Sequence, residues 1–362
     1  MAYYHSKYGY ARNRKKKSRW TKFVLIFLFI LIIFAVIAAY LLYNSLFKEN
    51  VWLNDQPMAS VYIPTGADYE DVKAILYQQG VIVHRNSFEW VAKRKNYPEH
   101  VKPGRYVIRE GMNNTELVNM LRAGLQTPVT VEFNNIRTIE QLGHRIEQQI
   151  EADSSEMLSL LNDSAYISKY NFNHYTIETM FIPNTYELYW NTNARQFIER
   201  IYAEHQNFWD ETRREKANKM EMTIPEVSIL ASIIEKETAK NDEKARIAGV
   251  YINRLESKWL LQADPTLIYA LGDYSVRRVL NQYKKIDSPY NTYKYLGLPP
   301  GPICIPSIAS IDAVLNYENH DYFFFCARDD LSGYHAFANN VTEHNRNAKR
   351  YQKALDEMNI RK

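Results

Sequence analysis

An unbroken apolar stretch near the N-terminus limits the folds and locations open to this chain. Between Phe23 and Tyr43 the sequence reads FVLIFLFILIIFAVIAAYLLY, without a charged residue, proline or glycine. A helix of this length rises about 31 Å, which matches the hydrocarbon core of a bilayer. A cleaved signal peptide would have a shorter apolar core and a small-residue cleavage site, whereas Leu41 and Tyr43 lead directly into Asn44. The stretch therefore predicts one uncleaved transmembrane helix at 23–43.

The charges around this stretch predict its orientation. Residues 1–22 carry eight cations and no acid, whereas only Lys48 and Glu49 follow closely on the other side. The positive-inside rule then predicts a cytoplasmic basic tail at 1–22, with the chain from about residue 48 onward outside. The tail also explains the net charge of +4, because without its eight cations 37 basic residues stand against 41 acidic ones. We therefore expect no nucleic-acid-binding groove.

An outward-facing location restricts the chemistry that the chain can perform. ATP and reduced cofactors are scarce there, so we expect no cofactor, and wall polymer, lipid or secreted protein as substrate or partner. Cys304 and Cys326 are too few for a disulfide framework or a cysteine-rich zinc site. Whether they pair depends on their separation, which the sequence leaves open. His335 and His344 lack the HExxH spacing of a metal site, so we expect structural or substrate-adjacent roles for them.

The sequence that follows the apolar stretch predicts an α+β fold in two domains. Residues 51–126 predict a strand–helix–helix–strand order, with strands at Val61–Ile63 and Tyr106–Ile108 and a first helix capped by Asp68. This order suits a small binding or spacer module. Residues 127–362 form the larger, mixed α+β domain, in which Tyr322–Ala327 reads as a buried strand.

One helix of the larger domain ends in carboxylates. Thr223 and Glu226 form a capping box, and an apolar stripe follows as far as the charged run EKETAKNDEK. At about 100° per residue, Glu235 and Glu237 flank opposite edges of this stripe and do not face each other, while Thr238 points inward. Carbonyl groups at a helix C-terminus disfavour an ionised carboxylate, so a partly desolvated glutamate there would retain its proton as a general acid does. Spacing alone favours an ordinary solvated charge run.

Four sequence motifs carry information that the spacing of the glutamates does not. In chain order they are LASIIEKETAKNDEKARIAGVYINRL, LQADPTLIYALG, YNTYKYLGLPPGPICIP and GYHAFANNVTEHN. Together with the apolar N-terminal helix they resemble the YceG-like (MltG) family of membrane-anchored endolytic murein transglycosylases. The resemblance implies a LysM-like module at 51–126 and a YceG-like catalytic domain at 127–362. It also implies that the second glutamate of EKET, Glu237, is the catalytic acid and that Glu235 is structural.

The resemblance implies a lyase reaction. Such enzymes cut the MurNAc–GlcNAc β-1,4 bond without water, and the C6 hydroxyl of MurNAc closes onto C1 to leave a 1,6-anhydro end. One carboxyl suffices, because the nucleophile belongs to the substrate, whereas a retaining hydrolase needs a second carboxylate about 5 Å away. No second carboxylate stands out in the sequence.

The remaining motifs offer polar side chains for substrate binding. The candidates are Thr238, Gln262, Asp264, Thr266, Tyr269, Asn291, Thr292 and Tyr293. For each of them a hydrogen bond that only stabilises a loop is an equally good interpretation. Two residues depart from the family pattern: Ala263 replaces the usual threonine of LQTDPT, and Asn184 replaces the aspartate of FPDTY. The second change removes a charge but leaves Glu237 unaffected.

The sequence thus predicts an inner-membrane, single-pass lytic transglycosylase whose catalytic domain is periplasmic or otherwise extracytoplasmic. It would cut nascent glycan strands internally and end their elongation, and the family association suggests peptidoglycan synthases as partners. Two alternatives stay open, a non-catalytic peptidoglycan-binding scaffold of the wall-synthesis machinery and a glycoside hydrolase that uses water.

Overall fold

The computed structural model describes residues 19–276 and 279–358, so most of the predicted basic tail at 1–22 lies outside the described residues. The chain divides into two compact units, and the boundary in the sequence lies between Thr127 and Pro128. Each contains helices and short antiparallel sheets, so the predicted α+β class is confirmed.

The apolar stretch forms a single long helix. Helix α1 covers Arg19–Phe47, 29 residues, and therefore extends beyond the predicted 23–43 at both ends. Among the described residues it is the one helix long and apolar enough to cross a membrane, with a mean hydropathy of 3.3. None of its side chains is buried in the protein, as expected for a helix surrounded by lipid.

The first unit is a two-stranded sheet with three short helices. Its elements after α1 are β1 (Met58–Ile63), α2 (Tyr69–Gln78), α3 (Arg85–Arg94), β2 (Gly104–Arg109) and α4 (Asn114–Ala123). Strands β1 and β2 pair antiparallel, with Val61 opposite Tyr106. Asp68 caps α2 through a reciprocal bond with Asp71, as its sequence predicts. The strand–helix–helix–strand order is confirmed, while the LysM-like identity of the module stays a prediction.

The second unit is mainly helical. Its first half contains β3 (Val129–Glu132), α5 (Ile139–Glu147), α6 (Ser154–Asn162), α7 (Ser164–Ile167), β4 (Thr185–Leu188), α8 (Ala194–Phe208) and α9 (Glu211–Lys219). Its second half contains α10 (Ile224–Glu237), α11 (Asn241–Glu256), α12 (Asp264–Leu271), α13 (Ile308–Leu315), β5 (Phe324–Ala327), β6 (His335–Ala338) and α14 (Val341–Glu357). Strand β3 pairs with β4, and β5 with β6, both antiparallel.

Helix α10 lies at the centre of the second unit and packs against α11, α12 and α13. Thr223 and Glu226 form the expected capping box, and the residues from Val227 to Ile234 are all buried. Eight consecutive buried residues mean that α10 is covered on every side rather than along one stripe. One expectation was wrong: β5 is half-buried, not buried, because it belongs to a two-stranded sheet rather than to the middle of a larger one.

Helix α11 is held tightly against the segment that leads into β5. The Asn253 amide donates to the carbonyls of His320 (2.7 Å) and Tyr322 (3.0 Å). Gly249 allows this approach, because a Cβ atom there would lie 2.3 Å from the carbonyl oxygen of Glu318. The arrangement brings the C-terminal half of α11 next to β5. Cys304 and Cys326 are both free thiols.

Candidate active site

The two glutamates at the end of α10 occupy different environments, as their angular separation predicts. Glu235 accepts hydrogen bonds at Oε2 from Ser307 (2.6 Å) and Ser310 (2.5 Å) and pairs with the Lys244 ammonium at 2.9 Å. Burial opposes ionisation of Glu235, but the two hydroxyl groups and Lys244 outweigh it and hold its pKa below the usual value. The ionised form of Glu235 is therefore favoured, and side chains of the protein supply its hydrogen bonds and its counter-ion.

Glu237, the last residue of α10, lies instead in a pocket of about 290 Å³. Burial raises its pKa from 4.5 to about 7. Tyr251 opposes this by donating to Oε1 at 2.5 Å, the charge of Asp264 raises the pKa further, and Arg254 lowers it. Near neutral pH the carboxyl is thus close to half protonated, so it can both donate and accept a proton. Burial is the first cause of this raised pKa, and the assignment of Glu237 as the catalytic acid stays a prediction.

Helix α11 supplies two side chains to this pocket that the sequence analysis did not single out. Tyr251 and Arg254 are three residues apart and lie on the same face of the helix. The Arg254 guanidinium is held by the carbonyls of Phe323 (2.8 Å) and Leu261 (2.5 Å) and is only 7% exposed. A fixed cation beside Glu237 favours the ionised form of its carboxyl group. The motif YINRL contains both residues, but an arginine in a helix pattern gives no sign of facing inward.

The opposite wall of the pocket comes from β5 and α14. Phe324, Phe325 and His344 line it. The His344 ring stacks on Phe324 at 5.3 Å, and burial together with Arg254 lowers the pKa of His344, so the imidazole is neutral. Its Nδ1 is buried without a hydrogen-bond partner in the described part of the chain. His335, the other histidine considered, pairs with Glu243 at 2.7 Å instead.

Three of the eight substrate-binding candidates line the pocket. They are Gln262, Asp264 and Tyr293. The Tyr293 hydroxyl donates to Oδ1 of Asp264 at 2.5 Å, so the two side chains are oriented together. Asp264 also places a second carboxyl group in the same pocket as Glu237, which the sequence analysis did not foresee. Gln262 has a left-handed backbone, φ 49°, which turns the chain sharply just before α12.

The other five candidates do not line this pocket, and a role for them in substrate binding stays a prediction. The Thr292 hydroxyl accepts from the amide of Ala263 (3.0 Å) and shares a hydrogen bond with the Thr266 hydroxyl (2.8 Å). The Asn291 amide donates to two carbonyls of its own loop, at 3.0 and 2.8 Å. All three residues are at least 98% buried. Their hydrogen bonds satisfy polar groups that burial would otherwise leave unpaired, so they act on the pocket by holding its loops.

Thr238 and Tyr269 lie outside the pocket for different reasons. Thr238 is buried, as its position on the helix predicts, but its hydroxyl accepts from the amide of Lys240 at 3.0 Å just beyond the end of α10. Tyr269 lies at the far end of α12 and packs against Tyr290, with ring centroids 4.6 Å apart. Asn184, the departure from the family pattern, is exposed and bonds to the next amide, that of Thr185.

A larger cavity of this unit lies elsewhere. It measures about 950 Å³ and lies beside the N-terminal half of α10, with Thr223, Glu226 and Ile229 in its wall. Helix α10 is 14 residues long, so its two ends are about 20 Å apart. We give the smaller pocket precedence because it alone of the two contains a carboxyl with a pKa near neutrality, a buried arginine and a neutral histidine.

Comparison with known proteins relates most of the chain to one family. An endolytic murein transglycosylase of Bacillus subtilis is 27% identical over 337 residues, covering 89% of this chain and 92% of that protein. One of Streptococcus pneumoniae is 29% identical over 328 residues, covering 81% of this chain but 58% of that protein. The crystal structure of a YceG-like protein from Listeria monocytogenes matches with a TM-score of 0.53 and 28% identity, covering 80% of this chain and 98% of that one. The pattern of the YceG-like family matches residues 61–350, and the chain therefore belongs to the YceG-like family.

Proposed function

We propose that this protein is an endolytic murein transglycosylase, a lyase that cleaves the MurNAc–GlcNAc β-1,4 bond within glycan strands and leaves 1,6-anhydro-MurNAc ends. The observation that carries the proposal is the Glu237 carboxyl, whose pKa burial raises to about 7 in a pocket open to substrate. The relatives named endolytic murein transglycosylase support the substrate class and the reaction.

In the first step protonated Glu237 gives its proton to the bridging glycosidic oxygen, and the C1–O bond breaks. Tyr251 keeps its hydrogen bond to Oε1 throughout, because burial and the Glu237 charge raise its pKa well above 10. It cannot act as the acid itself, and with Arg254 it stabilises the new carboxylate. The proton of Glu237 is then carried by Oε2, since Oε1 is the acceptor of the tyrosine.

In the second step the C6 hydroxyl of MurNAc attacks C1 and loses its proton to the Glu237 carboxylate. The new C6–O–C1 bond replaces the broken one, the acid is restored, and no water enters the product. We assign contacts to the sugar hydroxyl and acetamido groups to Gln262, Asp264 and Tyr293, which share the pocket with Glu237. Thr238, Thr266, Tyr269, Asn291 and Thr292 support these contacts from behind or beside the pocket.

Asp264 favours one alternative reaction. A second carboxylate in the pocket is what a hydrolase needs to attack C1 or to activate a water molecule. Its Oδ1 is already engaged by the Tyr293 hydroxyl, which lowers its availability as a nucleophile. We therefore rank hydrolysis second, and a non-catalytic wall-binding scaffold third.

For location, we propose that α1 anchors the protein in the inner membrane with the N-terminus in the cytoplasm, and that the catalytic unit works on the extracytoplasmic side. The eight cations before the apolar stretch support this orientation. Nascent strands are within reach of an anchored enzyme, so peptidoglycan synthases are the partners we propose.

One assay separates the three functions. The full chain in detergent is incubated with uncross-linked glycan strands, and mass spectrometry identifies the new ends. Ends lighter by one water indicate the lyase, reducing ends the hydrolase, and binding without cleavage the scaffold. Glu237→Gln should abolish cleavage without loss of folding, whereas Glu235→Gln, on the same helix and two residues away, should still cleave at a temperature at which circular dichroism shows the variant folded. The opposite pattern in the two variants would overturn the choice of acid.

A further inference from the structure

Helix α12 and the loop 290–293 run side by side away from the candidate active site. Three contacts join them in order along the chain. They are Asp264 with Tyr293 at 2.5 Å, Thr266 with Thr292 at 2.8 Å, and the rings of Tyr269 and Tyr290 with centroids 4.6 Å apart. The first contact lies in the Glu237 pocket and the third does not. From Asp264 to Tyr269 the helix rises about 7.5 Å, so the tyrosine pair lies beyond the pocket but close to it.

A second carboxyl group lies at this far end. Burial, and after it the charge of Glu140, raise the pKa of Glu178 from 4.5 to about 8. A Cβ atom on Gly301 would lie 2.2 Å from the carbonyl oxygen of Tyr175 and 2.8 Å from the Tyr290 hydroxyl, so the segment that leads into Glu178 passes close to the tyrosine pair. Burial first and Glu178 second raise the pKa of both Tyr269 and Tyr290, in agreement with this position. Oε2 of Glu178 is buried and has no hydrogen-bond partner among the described residues. At neutral pH Glu178 is thus an uncharged group able to donate and to accept hydrogen bonds.

Two further tyrosines near Tyr269 and Tyr290 are partly exposed to solvent. Tyr274, in the turn after α12, is 39% exposed, and the Arg137 guanidinium covers one face of its ring at 4.0 Å. Tyr175 on the other side is 40% exposed. A tyrosine ring offers an apolar face for the carbon skeleton of a sugar and a hydroxyl for its polar edge. Apart from Arg137 and Glu140, whose charges are opposite, the polar groups among these rings are uncharged, which suits a neutral N-acetylated sugar better than an ion.

We propose that Tyr269, Tyr274, Tyr290 and Glu178 form a second sugar-binding subsite, which holds an N-acetylated pyranose of the same glycan strand away from the bond that is cut. This inference rests on the proposed function. It accounts for cleavage inside strands, because a strand that extends from the Glu237 pocket along α12 gains binding energy from rings on one side of the scissile bond. Binding energy from such remote rings raises the rate for long substrates only.

The test compares a long with a short glycan in the full-length protein. Tyr274→Ala removes an exposed ring, so folding should hold. We expect kcat/KM on long strands to fall about tenfold, and that on the shortest cleavable oligosaccharide to change less than about twofold. The matched control is Tyr189→Ala, which removes a ring of 52% exposure outside the cluster and should leave both substrates unaffected. Glu178→Gln, isosteric and uncharged, should retain at least half of the activity on long strands.

Equal losses on both substrates, or an unchanged rate on long strands, would refute the subsite. A binding measurement in the Glu237→Gln background keeps this test independent of catalysis. There, Tyr274→Ala should weaken binding of the long oligosaccharide about tenfold and leave the short one unchanged. If the wild-type protein cut no strand at all, the proposed function would fail while this measurement still decided the subsite.

Discussion

Tyr251→Phe tests the electrostatics of the candidate acid most directly. The variant removes one hydrogen bond, the one from the tyrosine hydroxyl to Oε1 of Glu237 at 2.5 Å. The ring remains, and with it the perpendicular contact to Phe325 at 5.9 Å, so the packing of α11 should survive. The lost bond stabilises the ionised form of Glu237, so its loss must raise the pKa of that carboxyl.

The size of this effect follows from the strength of the bond. A hydrogen bond to a charged group contributes about 1.5–3 kcal/mol, and about 1.4 kcal/mol corresponds to one pKa unit. From its value of about 7, the pKa of Glu237 should therefore rise to about 8–9. The rate at neutral pH should fall about 10- to 100-fold, because the carboxylate formed when the acid gives up its proton is less stable.

The assay is the pH dependence of kcat for strand cleavage, which reports the pKa of the acid in the enzyme–substrate complex. The alkaline limb should move upward in Tyr251→Phe. Asp264→Asn is the matched variant of opposite sign, because the charge of Asp264 raises the pKa of Glu237, and its alkaline limb should move downward. An alkaline limb at the same pH in all three proteins would refute the assignment of Glu237 as the acid.

Three further predictions concern stability. Glu235→Gln should lower the free energy of unfolding by about 3–5 kcal/mol in chemical denaturation, because Lys244, only 4% exposed, loses its carboxylate; a loss below about 1 kcal/mol would contradict this. Burial, and after it Arg214, lower the pKa of His205 to about 4, so its contribution to stability is lost as pH falls from 6.5 to 4. Thermal melts at pH 6.5 and pH 4 should show that the wild type loses about 3 kcal/mol more stability than His205→Phe as the pH falls. An equal loss of stability in the two proteins would contradict this. Gly249→Ala should lower the free energy of unfolding by about 1–3 kcal/mol, and with it the melting temperature, because the new Cβ atom clashes with the Glu318 carbonyl. An unchanged melting temperature would show that α11 can move away.

Local sequence patterns were sufficient to predict helices α1 and α10 and the position of Glu237 at the end of α10. The apolar stretch, the capping box at Thr223 and the charged run at its end locate α1 and α10, because caps and periodicity act within a few residues. The same periodicity separates Glu235 from Glu237, and the structure directs them to different partners. The terminal position of Glu237 follows from the sequence for the same reason.

The rest of the pocket depends on contacts between residues far apart in the chain. Arg254 faces Glu237 because α11 is held against the segment before β5, and His344 arrives from α14, 107 positions after the glutamate in the numbering of the chain. The sequence named Gln262, Asp264 and Tyr293 together with Thr266, Asn291 and Thr292 but could not separate them, since each group consists of polar side chains from the same two motifs. Burial separates them, and burial is a property of the packed chain. By itself the sequence determined the long apolar helix and the carboxyl at a helix end; only the tertiary structure decided which side chains surround that carboxyl and so raise its pKa toward neutrality.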